Sequence, residues 1–273
     1  MNEREQSPVR KVSVPLWHWP NVLCLDAPVV ALVWLFCLAA SRGSTLSWVE
    51  PVILFLSIWL TYMADHLFDT ANRPTPDLRS RRHRWTKQNT RTLWPVWFVI
   101  LVLDLLLAFS LLAPWQLGQG GVLLFACLLY TLLNQRLSRR WFPKEVCVGA
   151  IFSAGVFVFL PAEGWMLGFF LLTPLFFLNC ILISLKEQPI DRALRDRSLS
   201  SAGTLQLRWM MGMTILLQIA LLWTDQTLAQ PSAISMTLLA CLYYFGKRLP
   251  TESYHVWADA CLLPAPVLTL LVS

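Results

Sequence analysis

The chain is short of charge. Asp, Glu, Lys and Arg make up 14% of its 273 residues, against about 25% in a soluble globular domain. With 56% hydrophobic residues and a mean hydropathy of +0.54, that shortage excludes a water-soluble fold. Strict apolar/polar alternation is missing, which excludes a membrane β-barrel. Glycine is sparse, at 11 residues, which argues against the Gly/Pro-broken helices of many transporters. The seven cysteines form no CxxC and no Cys/His cluster. They read as small buried hydrophobes, with neither a zinc site nor a disulfide framework expected.

What is present is apolar sequence in long runs, with 14 Trp and 15 Phe. Nine apolar segments stand out, near 22–41, 49–69, 92–113, 118–134, 145–161, 163–185, 207–224, 231–246 and 254–272. Each is read as a transmembrane helix, the shorter ones through tilt or fused boundaries. Of the 22 Lys and Arg, 21 fall on one side of such a chain, and only Arg42 falls opposite. The positive-inside rule then places the N-terminus in the cytoplasm and the C-terminus outside. Cytoplasmic loops are expected near 70–91, 134–144 and 186–206, after a cytoplasmic tail over 1–18. Residues 19–273 form a single transmembrane domain. Arg10, Lys11 and the apolar run to Ser41 imitate a signal peptide, but Asp26 within that run favours a retained first helix. The net charge of +6 is explained by topology, so no nucleic-acid partner is expected.

The stretch WLTYMADHLFDTANRP, residues 59–74, ends its apolar segment on Asp65 and Asp69. Further on, KEQPIDRALR carries Glu187 and Asp191. Both stretches read acid-x3-acid-x3-Arg, completed by Arg73 and Arg195, and each member is offset by 122 residues. A spacing of four places like charges on one helical face, where they repel. Acids near a helix C-terminus also oppose the macrodipole. A divalent cation offsets both effects, and carboxylate oxygens suit Mg²⁺. Mg²⁺ commonly bridges carboxylates to substrate phosphates. The chemistry therefore points to a phosphorylated or diphosphorylated lipid-soluble substrate. Arg73, Arg195 and the Arg79–Arg84 cluster are candidates for its phosphate oxygens, while topology alone also explains that cluster. Pro189 lacks a backbone donor and marks a kink or an end of its helix. Asp26, Asp104, His255 and Asp259 are further polar residues within apolar segments, read either as site residues or as interhelical hydrogen-bond partners. Asp26 is the one best placed to meet a cavity.

These motifs resemble the UbiA superfamily of intramembrane prenyltransferases. The segment count, DHLFDTANRP, EQPIDRALRDRSL with Ser198, and the intervening Tyr130-TLLNQR stretch with Pro143 and Gly149 carry the resemblance in that order. It implies an all-α membrane fold of nine transmembrane helices around a cytoplasm-facing cavity. Two pseudo-repeated four-helix halves (1–4 and 5–8) are followed by helix 9. It implies Mg²⁺ held by Asp65, Asp69, Glu187 and Asp191, the catalytic set, with diphosphate contacts from Arg73, Tyr130, Arg136 and Arg195. The reaction implied is transfer of an isoprenyl group from a polyprenyl diphosphate to a lipophilic acceptor. The setting is a multi-pass protein among the lipids of a prokaryotic cytoplasmic membrane. The chain departs from the family at Thr61 (usually Asn), Ile183 (no polar function), Asn134 (usually Lys) and Glu187 (usually Asp). Thr61 and Asp26 are expected to be polar groups of the cavity. A catalytically degenerate isoprenoid-binding member or subunit, and a UbiA-type terpene cyclase, are the alternatives.

Overall fold

The structure, a computed structural model, describes residues 13–71, 80–137, 143–161, 165–194 and 226–272, with Gly212 and Leu216 besides. Among the described residues the regular elements are all helices: α1 (Trp19–Val22), α2 (Asp26–Ser41), α3 (Val49–Ala71), α4 (Arg81–Leu111), α5 (Pro114–Leu137), α6 (Lys144–Phe157), α7 (Trp165–Leu194), α8 (Gln226–Phe245), α9 (Thr251–Ala260) and α10 (Pro264–Val272). Six spans are long and apolar enough to cross a membrane, α9 and α10 together counting as one. The bent pair Leu16–Val22 and Asp26–Ser41 adds a seventh if counted as one span. Eight of the nine sequence segments fall on these helices. The segment 207–224 lies outside the described residues, Gly212 and Leu216 excepted. α6 has only 14 residues, too few to cross a ~30 Å core alone.

The N-terminal segment differs from the continuous helix expected over 22–41. Its two parts meet at 80°, and Cys24 between them has φ +56, a left-handed conformation that L-residues rarely adopt. The chemistry of the break is local. Asp26 opens α2, with its Oδ1 accepting from the Ala27 N–H at 3.0 Å. That places a carboxylate at the positive end of the helix dipole. Pro28 sits in the first turn, where no N–H is needed. The Trp59 indole fixes the bend by donating to the Leu23 carbonyl at 2.9 Å.

Much of the loop expected near 70–91 is helix. α4 begins at Arg81, and Ser80 caps it by accepting from the His83 N–H. α7 likewise continues through Pro189 to Leu194, beyond the kink or end expected there. His18, the last residue of the expected tail, is buried 3.9 Å from Glu252.

α7 is the central helix. Leu171, Leu175, Leu178 and Ile181 are fully buried, and they pack in one core with Trp34, Leu38 and Phe157. A second core joins Trp59, Met63 and Leu67 of α3 to Leu93 of α4. α4 and α5 instead expose Phe98, Val99, Phe109, Val122 and Phe125. A continuous apolar exterior is what lipid contact requires. Asp104 of α4, buried at mid-helix, accepts from the Ser57 hydroxyl of α3 at 2.8 Å. It is thus an interhelical partner. All seven cysteines are free, with Cys24 and Cys37 buried and Cys241 exposed.

Gly149 sets the distance between α6 and α7. A Cβ there lies 2.7 Å from the Phe177 backbone nitrogen, closer than real contacts allow, and the obstacle is backbone. Gly149→Ala is therefore expected to destabilise by about 1–3 kcal/mol, the usual cost of overpacking. Thermal unfolding in detergent measures it. An unchanged midpoint would show that the two helices separate freely.

Candidate functional site

The polar ends of α3, α4, α6, α7 and α9 gather at one end of the bundle, and basic side chains tie them together. Lys87 of α4 donates to the Thr70 and Ala71 carbonyls at 2.7 and 3.2 Å, capping the last turn of α3. A cation there also complements the negative end of the helix dipole. Lys186 of α7 donates to the Lys247 carbonyl at 2.8 Å and stands 4.9 Å over the Tyr254 ring. Arg81 pairs with Glu252 through Nε at 3.1 Å, and its N–H donates to the same carboxylate at 2.6 Å.

Arg82 of α4 reaches the second acidic stretch. Its guanidinium donates to Glu187 Oε1 at 2.8 Å, with both side chains about four-fifths buried. His255 Nε2 lies 3.5 Å from the same oxygen. Asp65, at the end of α3, is exposed, and Asp69, Arg82, Lys144 and Glu187 are the charged groups acting on it. Asp69 itself stands 3.8 Å from His83 Nε2. Asp65 and Glu187, 122 positions apart, thus both feel Arg82, because α4 packs against α3 and sends Arg82 to Glu187 of α7.

Beside Arg82 and Glu187 lies a cavity of about 210 Å³. Arg82, Glu187, Lys144 and Tyr130 line its polar side, and Val30, Phe152, Phe176 and Leu262 its apolar side. An apolar cavity on the order of 150 Å³ accepts a benzene ring, whereas drug-sized ligands need roughly 300 Å³ or more. The space suits one ring or one headgroup, with any long chain continuing between helices.

The site residues expected from the sequence divide as follows. Asp26, Tyr130 and Glu187 line the cavity. Asp65 and Asp69 are not among the residues lining it, though Arg82, Lys144 and Glu187, which are, act on Asp65. Thr61 is exposed, and its hydroxyl donates to the Ser57 carbonyl at 2.9 Å. This back-bond within α3 is the usual fate of a threonine inside a helix, and Thr61 is not among the residues lining this cavity. Arg136 is exposed at the end of α5. Arg73, Arg195 and the side chain of Asp191 lie outside the described residues. The described residues hold no cluster of three or more His, Cys, Asp or Glu side chains arranged for a metal. The carboxylates of Asp65, Asp69 and Glu187 match Mg²⁺ in donor type. Glu187 and Asp69 meanwhile face Arg82, His255 and His83.

Other cavity residues escaped the sequence reading. Glu145 is 2% exposed and accepts from the Ser184 hydroxyl at 2.8 Å. His66, between Asp65 and Asp69, is buried 3.1 Å from the Cys24 sulfur. Asn179 of α7 donates to Asp259 Oδ1 at 3.0 Å. The signal was available for Asn179, a lone amide within the apolar run PLFFLNCILISL. Glu145 follows Lys144 at the start of an apolar segment, where a charged pair reads as ordinary topology.

Compared with family models, with curated proteins and with solved structures, the chain matches none.

Proposed function

We propose that this chain is a UbiA-type intramembrane prenyltransferase. It would transfer an isoprenyl group from a polyprenyl diphosphate to a lipophilic acceptor. The observation that supports this reading is that Arg82, paired with Glu187 of the second motif in the wall of one cavity, is also a charged group acting on Asp65 of the first. A diphosphate needs cations, and Arg82 and Lys144 supply two that do not depend on a metal. Mg²⁺ would be held by Asp65 and Asp69 from α3 and by Glu187 and Asp191 from α7. When bound it would neutralise charge on the departing diphosphate. The chain's own residues do the rest. Arg82, Lys144 and Tyr130 orient phosphate oxygens. Phe152 and Phe176 offer ring faces to the allylic cation, and the apolar wall excludes water from it.

In the same reading the chain has nine transmembrane helices, with 207–224 as the seventh, arranged as two four-helix halves plus a ninth. The basic end faces the cytoplasm of a prokaryotic cell, and the C-terminus lies outside. One observation favours a second reading, a UbiA-fold isoprenoid-binding protein without turnover. The Glu187 carboxylate, needed for metal, is already engaged by Arg82 and His255.

Incubating membranes with radiolabelled geranylgeranyl diphosphate separates the two. The enzyme reading expects Mg²⁺-dependent transfer of label into a solvent-extractable product. Tight binding of the diphosphate with all label recovered unchanged would establish the second reading instead.

A further inference from the structure

The cavity wall holds a thiol and an imidazole in contact, and the proposed chemistry uses neither. Cys24 Sγ lies 3.1 Å from His66 Nδ1, within hydrogen-bond reach for sulfur. Both residues line the cavity. They are 42 positions apart, so the fold brings them together. Several contacts hold the pair in place. The Cys24 N–H donates to the Asn21 carbonyl at 3.3 Å within its left-handed turn. The neighbouring Leu23 carbonyl accepts from Trp59, which shares α3 with His66. His83 packs edge-on against the His66 ring at 5.2 Å. A thiol within hydrogen-bond reach of an imidazole is the arrangement of nucleophilic catalysis. Non-glycine residues held in the left-handed region cluster at functional sites.

Two further observations point to a ligand in the same cavity. Asn179 is 8% exposed and lines it, and its Oδ1 is buried with no hydrogen-bond partner among the described residues. That oxygen accepts an O–H or N–H. Arg82 also lines the cavity, and its Nε is buried with no partner among the described residues. That nitrogen donates to an oxygen. Buried polar groups are ordinarily satisfied, and an occupant carrying both kinds of group satisfies both. The space of about 210 Å³ admits one ring.

We propose that Cys24 is a nucleophile, with His66 as its base, toward a ring-sized electrophile whose carbon–carbon double bond is conjugated to a carbonyl. In the reactive arrangement the thiol donates its S–H to His66 Nδ1. The S–H bond breaks, and the proton passes to Nδ1. The sulfur electron pair forms an S–C bond to the alkene carbon remote from the carbonyl. The alkene π pair moves toward the carbonyl oxygen, whose charge Arg82 stabilises. His66 then returns the proton to the carbon beside the carbonyl. The products are a thioether and a neutral imidazole. No oxidant or metal takes part.

Cys180 is an internal control. It lines the same cavity, is more exposed than Cys24, and makes no hydrogen bond to an imidazole among the described residues. Cys24, at 1% exposure, meets only what the cavity admits. Access alone therefore favours Cys180, and activation by His66 favours Cys24.

Labelling of the purified protein with N-ethylmaleimide, itself a small ring with such an alkene, tests the proposal without diphosphate or Mg²⁺. Peptide mass spectrometry assigns each thiol, with exposed Cys241 as the solvent-accessible reference. Of the two cavity thiols, Cys24 is expected to react before Cys180. His66→Phe should slow Cys24 about 10²-fold, the lower end of what a positioned base contributes. The Cys180 rate should not change, which also shows that access to the cavity is intact. His66→Gln keeps a hydrogen-bonding group but no base, and should be equally slow. Thermal unfolding checks that both variants are folded. The infrared S–H stretch of Cys24, identified by its loss in Cys24→Ser, should lie below the free-thiol position and return to it in His66→Phe. Labelling of Cys180 with Cys24 untouched, a Cys24 rate unchanged in His66→Phe, or a full rate in His66→Gln would overturn the proposal. None of these results depends on turnover of an isoprenyl diphosphate, so this proposal and the transferase reading fail separately.

Discussion

Arg82→Met is expected to lower the thermal midpoint by about 6–12 °C in detergent, and Arg82→Met with Glu187→Leu to recover most of that loss. The Arg82–Glu187 pair is mostly buried at 2.8 Å. Removing one partner of such a pair strands the other charge, which costs about 3–5 kcal/mol. His255, 3.5 Å from the same oxygen, offsets part of this, so the lower figure of about 3 kcal/mol is the one expected. For a chain of this size about 1 kcal/mol shifts the midpoint by roughly 2–4 °C. Replacing both charges with apolar side chains of similar volume is often neutral or stabilising, which explains the recovery. The double variant should remain inactive although it is stable, since Arg82 and Glu187 both belong to the proposed diphosphate site. A single variant as stable as wild type would show the pair to be an ordinary surface contact.

Asp65→Ala is expected to separate function from folding in the opposite way. Asp65 is exposed and makes no hydrogen bond to a described residue, and Asp69 repels it. Its removal should leave the thermal midpoint within a few degrees of wild type. Turnover of an isoprenyl diphosphate should fall by about 10²–10³-fold, the usual effect of losing one preorganised group that stabilises transition-state charge. A larger loss of stability than of turnover would make Asp65 a structural residue and would remove the first motif from the site. Asp65→Asn tests charge at nearly constant volume and should behave as Asp65→Ala does.

The helical architecture was legible because hydrophobic runs of membrane length leave few alternatives. The boundaries were less so. Residues 81–91 read as loop because Arg81, Arg82, Arg84 and Lys87 are charged. Ser80 nonetheless caps a helix there, and their contacts to α3, α7 and α9 hold it in place. The bend before α2 was hidden because Leu23, Cys24 and Leu25 are apolar, and only the left-handed turn at Cys24 reveals it.

At the site, fourfold spacing and a constant offset singled out Asp65, Asp69 and Glu187. The sequence did not show which cation pairs with Glu187. Arg82 is one of several arginines in a basic stretch, and nothing local distinguishes it from Arg81, which turns instead to Glu252. Asp26 and Asp259 were each visible as charge within an apolar run, but that they line one cavity was not.

The most direct measurement is pyrophosphate release by the purified wild-type protein from farnesyl and geranylgeranyl diphosphate, with Mg²⁺ and with EDTA. The account predicts release with Mg²⁺, none with EDTA, and restoration when the metal is returned. No release at either chain length with Mg²⁺ present, from protein that still unfolds cooperatively, would contradict it.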